Sequence, residues 1–258
     1  MSWRHTGGLG MFLELFFWNV SARFKRLPLL LGCVAIMGYL FLTSLSQYSV
    51  LSGTPMTTTA LVLGRVRSLT FVLILVELMG LHTMYGNGSI HMLLRSGSRG
   101  RYWQSRLLAT FSMSGLFAML LILVEFMVNV LIGRLFPRTG AAPAHSMQSG
   151  ALIIVFLLLT VGIAVILVLI DVLQVILSHA FLAYVLVIAL QIVSLTSNAL
   201  FSGATGRLLF LLSPFLRLSL IDNSLYGEQP IRSVSYLALL LALEFLVGWL
   251  AVRRNDIQ

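Results

Sequence analysis

ALIIVFLLLTVGIAVILVLIDVLQVILSHAFLAYVLVIALQIVSLTSNAL, residues 151–200, is the stretch that decides the fold of this chain. A single helix of this length would extend about 75 Å, whereas the hydrocarbon core of a bilayer is about 30 Å thick. The stretch therefore predicts two membrane-spanning helices joined by a tight hairpin. Its polar cluster, Asp171, Gln174, Ser178 and His179, predicts the position of the turn, with Asp171 in contact with solvent.

The rest of the chain is also strongly apolar. Hydrophobic residues make up 59% of the sequence and charged residues 10%, a composition outside the range of water-soluble domains. Pro28 opens the first apolar stretch and no small-residue cleavage site follows, which predicts a retained helix rather than a signal peptide. We therefore expect an all-α, polytopic membrane protein, with a single transmembrane domain over residues 1–258. Its six transmembrane helices are predicted at residues 28–47, 68–85, 107–132, 150–173, 177–200 and 234–252.

Basic residues predict the orientation of these helices. Six spans place both termini on one side of the membrane, and that side carries most of the 17 lysine and arginine residues, clustered at helix ends. The positive-inside rule then predicts a multi-pass protein of the cell membrane with both termini in the cytoplasm. Topology and contact with anionic lipid explain the net charge of +9, so nucleic acid is not an expected partner.

Two segments outside the spans are apolar without being long enough to cross a membrane. Residues 11–27 place several phenylalanines on one helical face and end in basic residues, which predicts an interfacial elbow helix on the cytoplasmic leaflet. The connection 201–233 contains an apolar run followed by Ser213 and Pro214, which predicts re-entrant or interfacial helices between spans five and six. An ordered interfacial loop without a gating role is the alternative for the second segment.

The loop 86–106 combines arginines with a short apolar helix and two aromatic residues, Tyr102 and Trp103. Exposed aromatic and basic side chains of this kind are suited to docking on an acidic or grooved partner. The alternative is a basic loop that only sets the topology, with Tyr102 and Trp103 in the interfacial aromatic belt.

Three glutamates, Glu77, Glu125 and Glu244, fall inside predicted spans. Each would cost about 2.5–3.5 kcal/mol at the bilayer centre, so each is expected to face protein or water. Each is a functional candidate, and the alternative is a structural role in which a hydrogen-bonded glutamate joins helices.

Nucleotide-binding and catalytic motifs are absent from the sequence. The only lysine, Lys25, follows Phe24 instead of a glycine, so the chain contains no phosphate-binding loop. It also lacks the G-x-S-x-G and H-E-x-x-H motifs, and its single cysteine, Cys33, rules out a paired-cysteine metal site. The histidines are scattered along the chain. We therefore expect no catalytic, cofactor or metal site on this chain.

Three stretches carry a resemblance to a known family. They are LLRSGSRGRYWQSRLL at residues 93–108, LLSPFLRLSL at 211–220, and Gly248-Trp249 followed by VRRNDIQ at the end of the chain. In this order, after a glycine-rich stop to the second span, they resemble the permease subunits of ABC-2 type transporters. The resemblance covers the architecture of essentially the whole chain.

The resemblance implies a six-helix permease with an elbow helix, which works with a second permease, identical or paralogous, and a pair of cytoplasmic ABC ATPases. ATP and Mg would bind to those ATPases. Glu77 stands nine residues before Gly86, which departs from the family's usual acidic position. The resemblance assigns contact with the ATPase to Ile90, Met92, Leu93, Leu94, Arg95, Gly97, Arg99 and Arg101.

An apolar lining with few charges favours an amphipathic substrate such as a peptide, a drug or a lipid. Two other functions stay open from the sequence. One is a proton-coupled secondary carrier that uses the intramembrane glutamates, although the two halves of the chain show no clear symmetry. The other is an intramembrane lipid-modifying enzyme.

Overall fold

The computed structural model describes residues 26–47, 55–63, 72–74, 99–136, 151–177, 179–200, 213–218 and 229–254, together with positions 10, 13, 16, 17 and 208. All regular elements in these ranges are helical, which confirms the all-α class for the described part of the chain. The helices are α1 Arg26–Gln47, α2 Pro55–Leu63, α3 Arg99–Leu135, α4 Ala151–Leu177, α5 Ala180–Leu200 and α6 Pro230–Arg254, with a 3-10 turn at Leu216–Leu218.

Three of the described helices are long and apolar enough to cross a bilayer: Gly100–Leu135, Ala151–Leu177 and Pro230–Val252. The shorter apolar stretches Leu31–Ser46 and Phe181–Ser194 lie in α1 and α5. Most of the predicted second span, including Glu77, and most of the predicted elbow helix lie outside the described residues. The prediction of a helical membrane protein is thus confirmed at this coarser level.

The centre of the bundle is α4. It packs against α3, α5 and α6 and also contacts α2, so most of its length is buried. Its sequence contains a single charged residue, Asp171, and is apolar on all sides. A helix that is hydrophobic around its whole circumference can be covered on every side by other helices or by lipid, because it has no polar face to keep in water, and α4 is covered mainly by other helices.

The long apolar stretch is divided between two helices at the predicted position, of which α4 is long enough to cross a bilayer and α5 contains a shorter apolar stretch. The helix α4 ends at Leu177 and α5 begins at Ala180, and the backbone N–H of Ala183 donates to the carbonyl of His179 at 3.2 Å. The end of α4 therefore lies six residues beyond Asp171. The expectation that Asp171 contacts solvent is wrong, because that side chain is buried within the bundle.

Contacts between the helices define two ends of the bundle. Ser44 contacts Glu125, so α1 runs parallel to α3, whereas Arg106 contacts Asp171 and Trp103 contacts Phe245, so α4 and α6 run antiparallel to α3. We call the end with the first turns of α1 and α3 the basic end. Its described arginines are Arg26, Arg99, Arg101, Arg106, Arg253 and Arg254, whereas Arg134, Arg217 and Arg232 lie towards the opposite end.

The helix α3 begins at Arg99, about two turns before the predicted start of the third span. Its 37 residues give a length of about 55 Å, well beyond the roughly 30 Å of a hydrocarbon core. The helix therefore extends past the membrane interior, and its first turns carry three of the four arginines of the predicted loop 86–106, namely Arg99, Arg101 and Arg106.

Candidate functional site

A bidentate ion pair joins α3 to α4 at the basic end. The Arg106 guanidinium donates from Nε to Oδ2 of Asp171 at 2.9 Å and from Nη2 to Oδ1 at 2.6 Å. Asp171 is only 3% exposed. Fork-shaped pairing of this kind fixes the relative orientation of two groups as well as their distance. The pair therefore sets the register between α3 and α4.

Trp103 joins α3 to α6 one turn earlier. Its ring is buried, and its indole Nε1 donates to the backbone carbonyl of Phe245 at 3.4 Å. A Cβ atom placed on Gly248 would lie 2.1 Å from Cζ2 of Trp103, so only glycine leaves room for the ring there. The indole thus occupies a notch in α6 that a glycine creates.

The expectation of an exposed aromatic pair is wrong, because Tyr102 and Trp103 are both buried. Trp103 lies on α3 against α4 and α6 instead of projecting from a loop towards a partner. We call Trp103, Arg106, Asp171 and Gly248 together the basic-end joint. The joint connects the start of α3 to the two helices that form most of the bundle core.

The predicted ATPase-contacting residues lie directly before this joint. Arg99 and Arg101 are in the first turn of α3, and the side chain of Arg101 is exposed. The other members of the predicted segment, Ile90, Met92, Leu93, Leu94, Arg95 and Gly97, lie outside the described residues. The part of the segment that the structure describes is therefore continuous in one helix with Trp103 and Arg106.

A second polar group, which we call the Glu125 cluster, lies in the half of the bundle away from the basic end. The carboxyl Oε1 of Glu125 accepts hydrogen bonds from Ser44 Oγ and from Asn129 Nδ2, the latter at 2.8 Å. Asn129 Nδ2 also lies 3.2 Å from Thr59 Oγ1, and Thr59 donates to the carbonyl of Pro55 at 2.8 Å. Three helices, α1, α2 and α3, therefore meet at one buried carboxyl group.

Sequence reasoning identified Glu125 but missed Ser44, Thr59 and Asn129. Hydroxyl side chains are common in apolar helices, where they bond to the preceding turn of their own helix. The one usable signal is the spacing of Glu125 and Asn129, which at four residues apart share a helix face.

Glu244 is buried separately on α6. It lies with Ser233, Leu237 and Gly248 on the buried face of α6, and its Oε2 has no hydrogen-bond partner among the described residues. Because Glu244 is one turn from Gly248, it lies towards the basic end, whereas Glu125 lies in the other half of the bundle. The structure therefore does not bring these two predicted site residues together.

A short segment of the connection between α5 and α6 enters the bundle. Residues 215–218 are all buried, and their 3-10 turn contacts α4, α5 and α6. A Cβ placed on Gly162 would lie 1.7 Å from Cδ2 of Leu218, so the leucine occupies a glycine notch in α4. Gly162 lies about 16 Å from the start of α4, roughly half of a hydrocarbon core.

Arg217 is in the same buried turn. Its guanidinium carbon lies 4.2 Å from the ring centroid of Tyr236 on α6, a cation–π contact. This contact and the seating of Leu218 hold the turn against two different helices.

No group of three or more histidine, cysteine, aspartate or glutamate side chains could hold a metal ion within the ranges that the structure describes. No protein-family model matches the chain, and neither the curated proteins nor the solved structures give a match. Function is therefore inferred from the geometry of the basic-end joint, the Glu125 cluster and the buried 3-10 turn.

Proposed function

We propose that this chain is the membrane-spanning permease subunit of an ABC-2 type exporter. It has six spans, a cytoplasmic elbow helix at residues 11–27, a coupling loop at 86–106 and an extracytoplasmic connection at 201–233. It works with a second permease, identical or paralogous, and with a pair of cytoplasmic ABC ATPases that bind ATP and Mg. The chain itself is not an enzyme, and the exported substrate is amphipathic.

The basic-end joint is the observation that carries this proposal. A coupling loop can drive transport only if its displacement reaches the helices that line the pathway. Here the loop runs into a helix of 37 residues, and that helix is fixed to α4 by Arg106 and to α6 by Trp103 within its first turns. A push on residues 90–101 would therefore move α3, α4 and α6 as one body.

The distribution of arginines supports the orientation. The described arginines lie mainly at the basic end, where α3 begins and α6 ends. Under the positive-inside rule this end is cytoplasmic, which places the coupling loop and both termini in the compartment that contains ATP.

The buried turn at residues 215–218 supports a role for the connection 201–233 at the exit side. Non-helical backbone at membrane depth is tolerated where protein or water satisfies its polar groups, and Leu218 and Arg217 seat this turn between helices. In the proposed cycle, ATPase closure shifts the permease pair from an inward-open to an outward-open state. Differential contact with the ATP-bound partner biases that equilibrium.

Reconstitution with the partner tests the proposal. The tagged chain is purified from its own host under mild solubilisation, and vesicles are prepared with and without the co-purified ATPase. An amphipathic fluorescent dye serves as the transport probe. Dye export should require ATP, should stop when the phosphate-loop lysine of the partner is replaced, and should be absent with this chain alone.

A matched pair of variants connects the test to the structure. The double variant Arg106→Met/Asp171→Leu removes the ion pair without leaving a buried charge, and it should uncouple ATP hydrolysis from dye export. Arg134→Met, which changes an exposed arginine at the opposite end, should not. Dye transport by this chain alone, driven by an imposed pH gradient, would establish a proton-coupled carrier and refute the proposal.

A further inference from the structure

Glu125 is fully buried, with 0% of its side chain exposed, at the point where α1, α2 and α3 meet. The hydrogen bonds to its carboxyl group are uneven. Oε1 accepts from Ser44 and from Asn129, whereas Oε2 is buried and has no hydrogen-bond partner in the described part of the chain. Leaving a buried charged oxygen without a partner carries a large desolvation cost.

No described cation contacts Glu125 to offset that cost. The helix α2 has no charged residue, and the only charged residue of α1 is Arg26, at the basic end. The only charged residue of α4 is Asp171, which is paired with Arg106 at the basic end. On α3 itself, Arg134 is exposed and lies about 13 Å further along the helix axis.

The charged residues of α6, which also packs on α3, lie elsewhere. Arg232 is exposed at the opposite end, Glu244 lies towards the basic end, and the last two arginines of α6 are at the basic end. The nearest other titratable group on α1 is Tyr39, five residues before Ser44. Among the described helices that pack on α3, every charged residue is therefore remote from Glu125 or of the same sign.

Glu125 and Asp171, two of the three buried carboxyl groups in the described part of the chain, have different surroundings. Asp171 accepts two hydrogen bonds from the Arg106 guanidinium, which supplies the positive charge that a buried anion requires. Glu125 instead accepts hydrogen bonds from the Ser44 hydroxyl and the Asn129 amide, which are both neutral. A hydroxyl can accept as well as donate, so a neutral carboxylic acid can donate its O–H to Ser44. The same contacts satisfy the protonated form of Glu125 better than the ionised form.

We propose that Glu125, with Ser44, Thr59 and Asn129, is a binding site for one exchangeable proton. Hydrogen-bond contacts join Ser44 to Glu125, Glu125 to Asn129, and Asn129 to Thr59. A proton is the cation that needs no additional space between these side chains. The bound proton holds α1 and α2 against α3. When the three helices part and water enters, the proton passes to water and Glu125 becomes an anion. This inference does not rest on the ABC-2 assignment.

Infrared spectroscopy of the purified chain in lipid nanodiscs tests the site directly. A protonated carboxyl group has a carbonyl band that is separate from the carboxylate bands and that shifts in D₂O. At neutral pH the native chain should show a component of this band that Glu125→Gln lacks and that Glu244→Gln, a variant of the other buried glutamate, retains. Identical bands in the native chain and Glu125→Gln would show that Glu125 is ionised and would overturn the proposal.

A second variant covers the case in which Glu125→Gln fails to fold. Ser44→Ala removes the hydroxyl partner but not the carboxyl group, so the band should persist at a shifted frequency. An unshifted band would refute the assigned contact. Loss of the native band on addition of Na⁺ at constant pH would identify a metal-ion site instead and would also overturn the proposal.

Deuterium exchange tests the link between the proton and helix packing. After correction for the intrinsic rate, exchange of α1 and α2 amides in the native chain should increase as the carbonyl band disappears at high pH. Glu125→Gln should show no such increase. A pH-independent exchange profile in the native chain would refute the link.

Discussion

Replacing Arg106 by methionine should destabilise the protein far more than the loss of one surface charge. Asp171 is 3% exposed, so the substitution leaves a buried carboxylate whose described arginine partner is gone. Breaking a buried pair in this way costs about 3–5 kcal/mol in free energy of unfolding. Asp171→Leu should cost less, because Arg106 is 17% exposed and its head group can reach water at the basic end.

The double variant Arg106→Met/Asp171→Leu should recover most of that loss. It leaves no unpaired charge, and well-packed apolar residues in place of a buried pair are often neutral, so its stability should lie within about 1 kcal/mol of the native value. The assay is SDS-induced unfolding in mixed micelles, followed by tryptophan fluorescence, because Trp103 belongs to the same joint. Arg134→Met is the matched control and should change stability by less than about 0.5 kcal/mol.

Two results would refute the reasoning. A cost below about 1 kcal/mol for Arg106→Met would mean that Asp171 has water or another partner after the substitution. A double variant as unstable as the sum of both single variants would mean that the two residues act independently, because residues in direct contact show a coupling energy.

Gly248→Ala should destabilise the bundle by about 1–3 kcal/mol, because the added Cβ overpacks against the Trp103 ring. Gly133→Ala is the control and should not destabilise it, because its added Cβ meets nothing within 4 Å. SDS-induced unfolding compares the two variants. In a Cys33→Ser background, single cysteines at positions 98 and 146 should react with an impermeant maleimide from opposite sides of the membrane, and same-side labelling would contradict the six-span topology. Leu94→Glu should abolish ATP-driven dye export without reducing membrane insertion, and unchanged export would remove the 90–101 segment from the coupling role.

Hydropathy predicts that the apolar stretch 151–200 is divided into two helices, because a bilayer limits how long an apolar helix can be. The same pattern predicts a solvent-exposed Asp171, since sequence shows that a residue is polar but not that Arg106, 65 positions earlier, will face it. The prediction that Trp103 is exposed is wrong for the same reason. A tryptophan beside arginines suggests an exposed position. The glycine that makes room for the buried ring, Gly248, lies on α6, much later in the sequence.

The Glu125 cluster shows the same limit. A glutamate in an apolar stretch is conspicuous, so Glu125 could be identified from its charge alone. Its partners Ser44 and Thr59 could not, because their assignment needs the packing of α1 and α2 on α3. Local pattern therefore predicts the elements, and long-range pairing decides which polar residues form a site.

The seating of Leu218 in the Gly162 notch also constrains the order in which the chain assembles. During translation, α4 and α5 emerge before the turn at residues 215–218, and α6, which forms the third wall around that turn, emerges after it. The turn therefore cannot be fully enclosed until α6 has been synthesised. A nascent chain that stops before Pro230 would lack the helix that packs on α4 and on this turn. Insertion of α4 and α5 can thus precede the packing that encloses the turn, and the arrival of α6 separates the two stages.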